Sequence, residues 1–159
     1  MSEYKLQSQW ILWNHGLNDK SWTNDSYKNI FTFNNLNDIK IYNDNLDLLQ
    51  LQNSMYFLMR EDIFPTWEDS NNKNGCCASY KIPSNDIVNT WYKCIQNILC
   101  ENLHKNNDNY DIINGISISP KKEFNIIKIW FKRKLKDVNT YLNIDDKYIT
   151  KENCMIKNN

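Results

Sequence analysis

The sequence predicts an α+β fold in which an antiparallel sheet is covered by helices on one face. Six short segments have strand character, fewer have helical periodicity, and the two kinds do not alternate as regular βαβ units would. A length of 159 residues suits one domain with one core, since domains most often have about 100–150 residues. We therefore expect a single domain over residues 1–159, with the second face of its sheet open.

The strand segments are rich in β-branched and aromatic residues and are bounded by Asn, Asp, Gly or Pro. They comprise residues 10–13, 27–33, 56–60, 78–82, 112–119 and 124–132. Alternation in the last segment puts Trp130 on the same face as Lys128 and opposite Ile127 and Ile129. The lysine indicates that the Trp130 face is the wetter one.

Helical periodicity predicts two clear helices. In residues 86–99, apolar side chains recur at spacings of three and four, at Ile87, Trp91, Ile95 and Ile98. Ser84 is the expected N-cap of this helix. In residues 36–49, Asp38 lies in the first turn and one side carries Leu36, Ile39, Tyr42, Leu46 and Leu49. A weaker third helix is predicted at residues 134–142.

Composition excludes several classes of function. Lys plus Arg and Asp plus Glu are 19 each, so no overall positive field holds nucleic acid. Five cysteines without a CxxC pair predict free thiols and no metal site, and three glycines allow no phosphate-binding glycine loop. No nucleophile lies beside a histidine, so we expect no catalytic residue and no cofactor. Neither a signal peptide nor a membrane span is visible, which predicts a cytoplasmic protein without membrane contact.

Two tryptophans lie in polar segments rather than in apolar periodic ones. Trp22 follows Lys20-Ser21, and Trp67 is followed by Glu68 and Asp69. Both rings are expected to be exposed. Two indole faces beside a carboxylate suit a flat cationic base, because stacking and cation–π attraction both act on ring faces. The alternative is that these loop tryptophans cover edges of the core.

A basic run lies between positions 120 and 136, where Glu123 is the one acid. Its members are Lys121, Lys122, Lys128, Lys132, Arg133, Lys134 and Lys136. Such a run is either a local anion-binding patch or a solvated strand and helix face. Trp130 lies within it and belongs either to the same site or to a shielded sheet edge.

A set of motifs that includes every tryptophan of the chain runs along the sequence in the order Trp10-Ile-Leu-Trp13, Lys20-Ser-Trp22, Pro65-Thr-Trp67-Glu68-Asp69, Trp91, Leu99-Cys-Glu101, Asp111-Ile-Ile-Asn-Gly115 and Ile127-Lys-Ile-Trp130. In this order and approximate spacing, the motifs resemble those of the eukaryotic translation initiation factor 4E family, whose members bind the mRNA cap. The resemblance covers residues 6–131 and leaves 132–159 as a divergent C-terminal segment without the usual final strands. It implies a curved sheet with three helices on its convex face and the ligand slot on its concave face.

The resemblance also implies roles for individual residues. Trp22 and Trp67 would stack on 7-methylguanine, and Glu68 would accept hydrogen bonds from the guanine edge. Trp130 would contact the N7-methyl side. Lys121 and Lys122 would contact the cap phosphates. Methylation at N7 makes the ring cationic, which is why electron-rich indoles would distinguish it from plain guanine.

Departures from the family pattern concern the phosphates and the partner. Basic positions of the family are occupied by Cys77, Glu123 and Ile126. On the convex helices, a partner-binding tryptophan of the family is replaced by Lys40, and an acid is replaced by Lys93. The implied partner surface comprises Leu36, Lys40, Tyr92, Lys93 and Gln96. The expected partner is a scaffold initiation factor (the G-type subunit) or a repressor protein, bound in an altered way. The two lysines predict that this partner is unusual or acidic, or that the chain has no such partner.

Three functions remain open at this point. The chain is a monomeric cap-binding initiation factor for capped mRNA, a cap-binding repressor or decoy without the scaffold contact, or a general binder of single-stranded RNA. Scaffold binding distinguishes the first two. Selectivity for the methylated base distinguishes the third.

Overall fold

The computed structural model describes residues 4–105 and 111–159, which form one seven-stranded sheet with the strand order β2-β1-β3-β5-β6-β4-β7. All neighbouring strands are antiparallel. The strands are β1 (Lys5–Gly16), β2 (Lys28–Asn35), β3 (Ser54–Arg60), β4 (Cys76–Pro83), β5 (Ile113–Pro120), β6 (Phe124–Phe131) and β7 (Cys154–Asn158). The predicted α+β class and all six predicted strands are confirmed. The expectation of no strand after Phe131 is wrong, because β7 pairs with β4 at the edge of the sheet.

Within residues 4–105 and 111–159, three α-helices pack on one side of the curved sheet, which we call the helix face. They are α1 (Leu36–Asn45), α2 (Leu48–Asn53) and α3 (Ile87–Leu99). The single helix predicted at 36–49 is in fact two, because Leu46 and Asp47 are extended and each helix begins with its own capping box. Leu49 therefore lies in α2 and is 65% exposed, outside the apolar stripe to which it was assigned.

The stripe predicted for α3 is confirmed: Ile87, Trp91, Ile95 and Ile98 are all buried. Ser84 is not its N-cap. It begins a 3-10 turn, and Asp86 takes the cap position without a side-chain cap bond. The carboxylate of Asp86 instead accepts a hydrogen bond from the hydroxyl of Tyr148.

The helix predicted at 134–142 is also wrong. This segment contains only a 3-10 turn at Val138–Thr140, which the side chain of Asp137 caps. Directly afterwards, Leu142 forms a bridge with His104, and the backbone of Asn143 donates to the carbonyl of Leu103. These long-range backbone contacts replace the local bonds that a helix would need.

The two faces of the sheet bury different clusters. On the helix face, Ile127, Ile129 and Phe131 of β6 join the main core, as the alternation predicted. On the opposite face, which we call the slot face, Trp130 packs with Phe57 in a smaller aromatic cluster. In the described part of the chain, no helix is long and apolar enough to cross a membrane.

Candidate functional site

A cavity of about 270 Å³ opens on the slot face. Residues of β3, β5 and β6 form its floor, and residues of the loop after β1 and the loop after β3 form its walls. Its lining residues are Trp22, Tyr27, Met55, Phe57, Pro65, Thr66, Trp67, Glu68, Ser117, Ser119, Lys128 and Trp130. Four residues singled out from the sequence, namely Trp22, Trp67, Glu68 and Trp130, therefore surround one cavity.

Trp67 is held against Trp130 rather than standing free in a loop. The two indoles are stacked with centroids 4.5 Å apart and planes 14° from parallel. Trp130 is only 3% exposed, and its Nε1 donates to Oγ of Ser117 at 3.0 Å. Trp67 is consequently half-buried, so the expectation of two exposed rings holds for Trp22 but not for Trp67.

Trp22 is 56% exposed and lies on a buried histidine. The rings of His15 and Trp22 are stacked at 3.9 Å with planes 6° apart. Both nitrogens of His15 face backbone carbonyls of the same loop: Nδ1 is 3.0 Å from the oxygen of Gly16, and Nε2 is 2.8 Å from the oxygen of Ser21. Sequence reasoning missed His15, although alternation along β1 places it on the same face as Trp13.

Asparagines and one aspartate fix the loop that carries Trp67. The carboxylate of Asp69 accepts from the backbone N–H groups of Phe64, at 3.0 Å, and Asn71, at 2.8 Å. The amide of Asn72 donates to the carbonyls of Phe64 and Thr66, at 3.1 and 2.9 Å. Asn72 is fully buried, which matches its structural role. No sequence motif indicated it.

The same loop is anchored to the sheet at its second end. Asn114 of β5 donates to Oδ1 of Asn72 at 2.9 Å. Gly75 lies so close to β6 that a Cβ there would be 1.8 Å from the carbonyl oxygen of Phe131. Trp67 and Glu68 are therefore presented by a loop whose backbone is bonded internally and to the sheet.

Charges of both signs lie at the cavity. Glu68 is exposed at the rim. Burial, and secondly the charge of Glu68, raise the pKa of Tyr27, so this phenol stays neutral. Nζ of Lys128 lies 5.8 Å from the ring centroid of Trp67.

A second lysine lies further along the slot face. Lys157 of β7 is the register partner of Cys77, whose partner on the other side is Trp130. Burial raises the pKa of the Cys77 thiol, and the charges of Lys128 and Lys157 oppose that rise. Cys77 occupies a position where the family pattern has a basic residue. Its thiol therefore has two lysines nearby, Lys128 and Lys157.

Lys121 and Lys122, the lysines proposed for phosphate from the sequence, lie elsewhere. Both are exposed in the turn between β5 and β6, and neither lines the cavity. The backbone N–H of Lys121 donates to the carbonyl of Phe124, which closes this turn. The structure thus brings the stacking and edge residues together with Lys128, but not with Lys121 and Lys122.

The surface proposed for a partner lies on α1 and α3. Leu36 is 45% exposed. Lys40 is ion-paired with Asp44 at 2.6 Å, and Lys93 is ion-paired with Asp146 at 2.9 Å. Gln96 donates to the hydroxyl of Tyr92 at 3.0 Å. Both lysines that departed from the family pattern therefore have acidic partners within the chain.

The fold and the site define an α+β protein with an aromatic cavity on the concave face of one curved antiparallel sheet. A family model described as "Eukaryotic initiation factor 4E" matches residues 5–156. The chain belongs to the eukaryotic initiation factor 4E family. The match continues well past Phe131, where the resemblance seen in the sequence fades.

Individual relatives agree with this assignment. The chain is 28% identical over 137 residues to eukaryotic translation initiation factor 4E of Dictyostelium discoideum, which covers 82% of this chain and 53% of that protein. It thus spans about half the length of that relative. Among solved structures, Ascaris suum eIF4E-3 with the m7G cap has a TM-score of 0.75 at 23% identity, covering 87% of this chain and 79% of that one. Caenorhabditis elegans eIF4E-3, in complex with the 4E-binding protein Mextli and a cap analog, has a TM-score of 0.73 at 22% identity, covering 83% and 76%.

Proposed function

We propose that this chain binds the 7-methylguanosine cap of mRNA in the cavity of the slot face and acts in translation initiation. The observation that carries the proposal is the grouping of Trp22, Trp67 and Glu68 around one cavity. The Ascaris suum and C. elegans relatives were solved with cap ligands on the same fold, which supports the choice of ligand. A volume of about 270 Å³ suits one base, with the ribose and phosphates outside.

Selectivity for the methylated base would come from the two indoles. One face of Trp67 is covered by Trp130, so the base stacks on the opposite face and against Trp22. N7-methylation gives the guanine ring a positive charge, and a desolvated cation–π contact contributes about 2 kcal/mol. Unmethylated guanine is expected to bind roughly tenfold to thirtyfold more weakly. Trp130 also lines the cavity, so the contact proposed for it with the N7-methyl side would be made beside the edge of Trp67 and not through its stacked face.

Selectivity for guanine would come from Glu68. Guanine presents N1–H and an exocyclic amine side by side, and one carboxylate accepts from both. Adenine lacks this pair of donors. The exposed position of Glu68 at the rim of the cavity leaves its carboxylate available for the base edge.

The phosphates would follow the lysines of the slot face. Lys128 lines the cavity, and Lys157 lies opposite Cys77 on the neighbouring strand. Lysine binds phosphate as a point charge, so no bidentate geometry is needed. Lys121 and Lys122 remain proposed contacts for the distal phosphates, because flexible side chains reach out from their turn.

The outer surface of the helices that cover the helix face would bind a protein partner, either a scaffold initiation factor or a repressor. The C. elegans relative was solved with the 4E-binding protein Mextli, which supports a protein partner for this fold. Lys40 and Lys93 are already ion-paired with acids of this chain, which weakens the preference for an acidic partner that their charges alone suggest. The exposed Leu36, Ile41 and Leu49 favour an apolar helix instead. Because Lys40 is a poor substitute for an apolar anchor, a repressor or decoy role remains the second candidate.

Retention on immobilised 7-methylguanosine triphosphate tests the proposal. The chain should be retained, be eluted by free 7-methylguanosine triphosphate, and resist elution by the same concentration of guanosine triphosphate. Trp22→Ala should pass through the column. Equal elution by both nucleotides would identify a general base-stacking protein and contradict cap recognition.

The chain is proposed to work in the cytoplasm and without catalysis.

A further inference from the structure

A second cavity, of about 390 Å³, lies on the slot face near its β7 edge. We call it the β7 groove. Its lining includes Phe124 and Ile126 of β6, Ser79 and Lys81 of β4, and Met155 of β7. None of these five residues lines the cavity that contains Trp22 and Trp67, so the groove is a separate site.

Strand β6 connects the two sites. Alternate residues of a strand share a face, so Trp130, Lys128, Ile126 and Phe124 follow one another along the slot face. Trp130 and Lys128 line the first cavity, whereas Ile126 and Phe124 line the β7 groove. Successive members of this row are about 7 Å apart along the strand. A ligand that extends from the first cavity past Lys128 therefore reaches the groove next.

The groove presents apolar surface to solvent. Met155 is 75% exposed, and Phe124 and Ile126 are half-buried. Nζ of the exposed Lys81 lies 4.1 Å from the ring centroid of Phe124, so an outward-facing side chain, and not the core, covers this face of the ring. An exposed cation–π contact is weaker than a base stacked on the same ring. A base can therefore displace the ammonium group and take its place.

Positive charge surrounds this apolar surface. Lys128 is the register partner of Ser79, whose partner on the other side is Met155, and Lys157 follows two residues later on the same face of β7. Among the residues that the structure describes, no ion pair involves Lys81, Lys128 or Lys157. These three lysines are therefore available to an anionic ligand.

One acid, the exposed Glu152, is among the lining residues of the groove. It lies at the end next to Asn153, whose amide donates to the backbone oxygen of Lys81 at 2.9 Å. Lys128 is at the other end, towards the first cavity. Phosphates are therefore attracted to the end near Lys128, which leaves the apolar part of the groove for a base.

We propose that the β7 groove binds the base of the nucleotide that follows the cap in a capped RNA. This inference rests on the proposed cap binding. Lys128 would contact the phosphate bridge between the two nucleotides, and the second base would pack on Phe124, Ile126 and Met155. Ile126 occupies a basic position of the family pattern, so an apolar contact with the base replaces a charge near the phosphates. Stacking uses the face of a base, so the groove accepts different bases.

Two ligands separate this groove from the first cavity: 7-methylguanosine triphosphate, which has no second base, and the dinucleotide m7GpppA, which has one. Isothermal titration calorimetry measures the dissociation constant of each. Phe124→Ala should weaken binding of the dinucleotide roughly tenfold and leave the mononucleotide nearly unaffected, because it removes one stacking surface. Phe124→Tyr keeps an aromatic ring and should bind both ligands as the wild type does.

Met155→Ala is a second variant, in case Phe124→Ala disturbs the sheet. Met155 is exposed at the edge strand, so its loss should leave the core intact and weaken binding of the dinucleotide roughly threefold. Leu49→Ala is the matched control, because Leu49 is 65% exposed on the other side of the molecule. It should bind both ligands as the wild type does. Thermal melts establish that each variant is folded.

Unchanged binding of the dinucleotide in folded Phe124→Ala and Met155→Ala would overturn the groove as an RNA site and assign it to another occupant, while leaving cap binding intact. Equal losses for both ligands would also overturn it, because the substitutions would then act on the first cavity. A wild type that binds 7-methylguanosine triphosphate no better than guanosine triphosphate would instead overturn the proposed function, and this inference with it.

Discussion

The indoles of Trp67 and Trp130 are stacked with their centroids 4.5 Å apart and their planes 14° from parallel, and Trp130 is held in place by a hydrogen bond from its Nε1 to Oγ of Ser117. This arrangement fixes one wall of the cavity before any ligand is present. Trp22, by contrast, is more than half exposed and is carried on a loop. Ligand binding is therefore expected to order the Trp22 side more than the Trp67 side.

Removing either stacking wall should weaken nucleotide binding. Trp22→Ala and Trp67→Ala are each expected to cost about 1–3 kcal/mol of binding free energy, because stacking on one base contributes that much. Isothermal titration calorimetry with 7-methylguanosine triphosphate measures the loss. Leu49→Ala, which removes an exposed apolar side chain from the helix face, is the control and should bind as the wild type does. Wild-type affinity in Trp67→Ala would remove this residue from the site.

Glu68→Ala should reduce the preference for guanine over adenine. The carboxylate accepts two hydrogen bonds from guanine that adenine cannot supply, and charge-assisted bonds of this kind contribute about 1.5–3 kcal/mol each. Competition between 7-methylated guanine and adenine nucleotides measures the preference. Asp69→Ala is a poor control because Asp69 holds the loop, so Glu61→Ala, another exposed acid, should be used. An unchanged base preference in Glu68→Ala would show that another group reads the base edge.

Lys128→Ala and Lys157→Ala should affect the phosphates rather than the base. Each is expected to weaken binding of 7-methylguanosine triphosphate, to leave 7-methylguanosine nearly unaffected, and to make the dependence of affinity on salt less steep. Lys40→Ala, on the helix face, should change none of these. The same comparison for Lys121→Ala and Lys122→Ala determines whether the turn between β5 and β6 also reaches the phosphates. Equal losses with nucleoside and nucleotide would contradict a phosphate role.

The loop that carries Trp67 should not tolerate a side chain at Gly75. A Cβ there would lie 1.8 Å from the backbone oxygen of Phe131, whereas at Gly16 the nearest atom would be an ordinary 3.8 Å away. Gly75→Ala is therefore expected to lower the free energy of unfolding by about 3 kcal/mol, the upper part of the range for overpacking. Gly16→Ala should have little effect. Chemical denaturation measures both, and similar stabilities would indicate that β6 moves aside at little cost.

A single substitution on α1 should strengthen partner binding. Lys40 is 72% exposed at its side chain, and among the residues that the structure describes its one ion pair is with Asp44, a turn further along α1. Lys40→Trp is expected to tighten binding of a helical scaffold peptide bearing tyrosine and leucine by about 2 kcal/mol, as for a tryptophan at an interface centre. Lys134→Trp, exposed after β6, is the control. If the wild type already binds the peptide tightly and Lys40→Trp adds nothing, then α1 is not part of the partner surface.

The sequence predicted local features well and long-range ones poorly. Alternation in β6 correctly separated Ile127 and Ile129 from Trp130, because side-chain direction in a strand depends only on neighbouring residues. The break between α1 and α2 has a local signal, because Asp47 and Gln50 form a second capping box. The apolar stripe continues across this break, however, and it favoured a single helix. β7 could not be predicted from its own five residues, because four of them are exposed, one is the charged Lys157, and pairing with β4 is what makes the segment a strand.

The same distinction applies to the site. Trp22, Trp67 and Glu68 were identifiable because aromatic rings in polar segments are unusual. Lys157 was missed because β7 brings it to Cys77 from eighty residues away, and His15 was missed because its contact with Trp22 depends on the path of a loop. Residues whose positions depend on tertiary pairing leave no local pattern in the sequence.

A tryptophan-fluorescence titration with 7-methylguanosine triphosphate and, in parallel, guanosine triphosphate at neutral pH and fixed salt tests cap recognition most directly. Trp22 and Trp67 lie at the cavity, so a stacked base should quench their emission. Strong quenching by the methylated nucleotide, with at least roughly tenfold weaker binding of the unmethylated one, is the predicted result. Equal quenching curves for the two nucleotides, or no quenching by either, would contradict it.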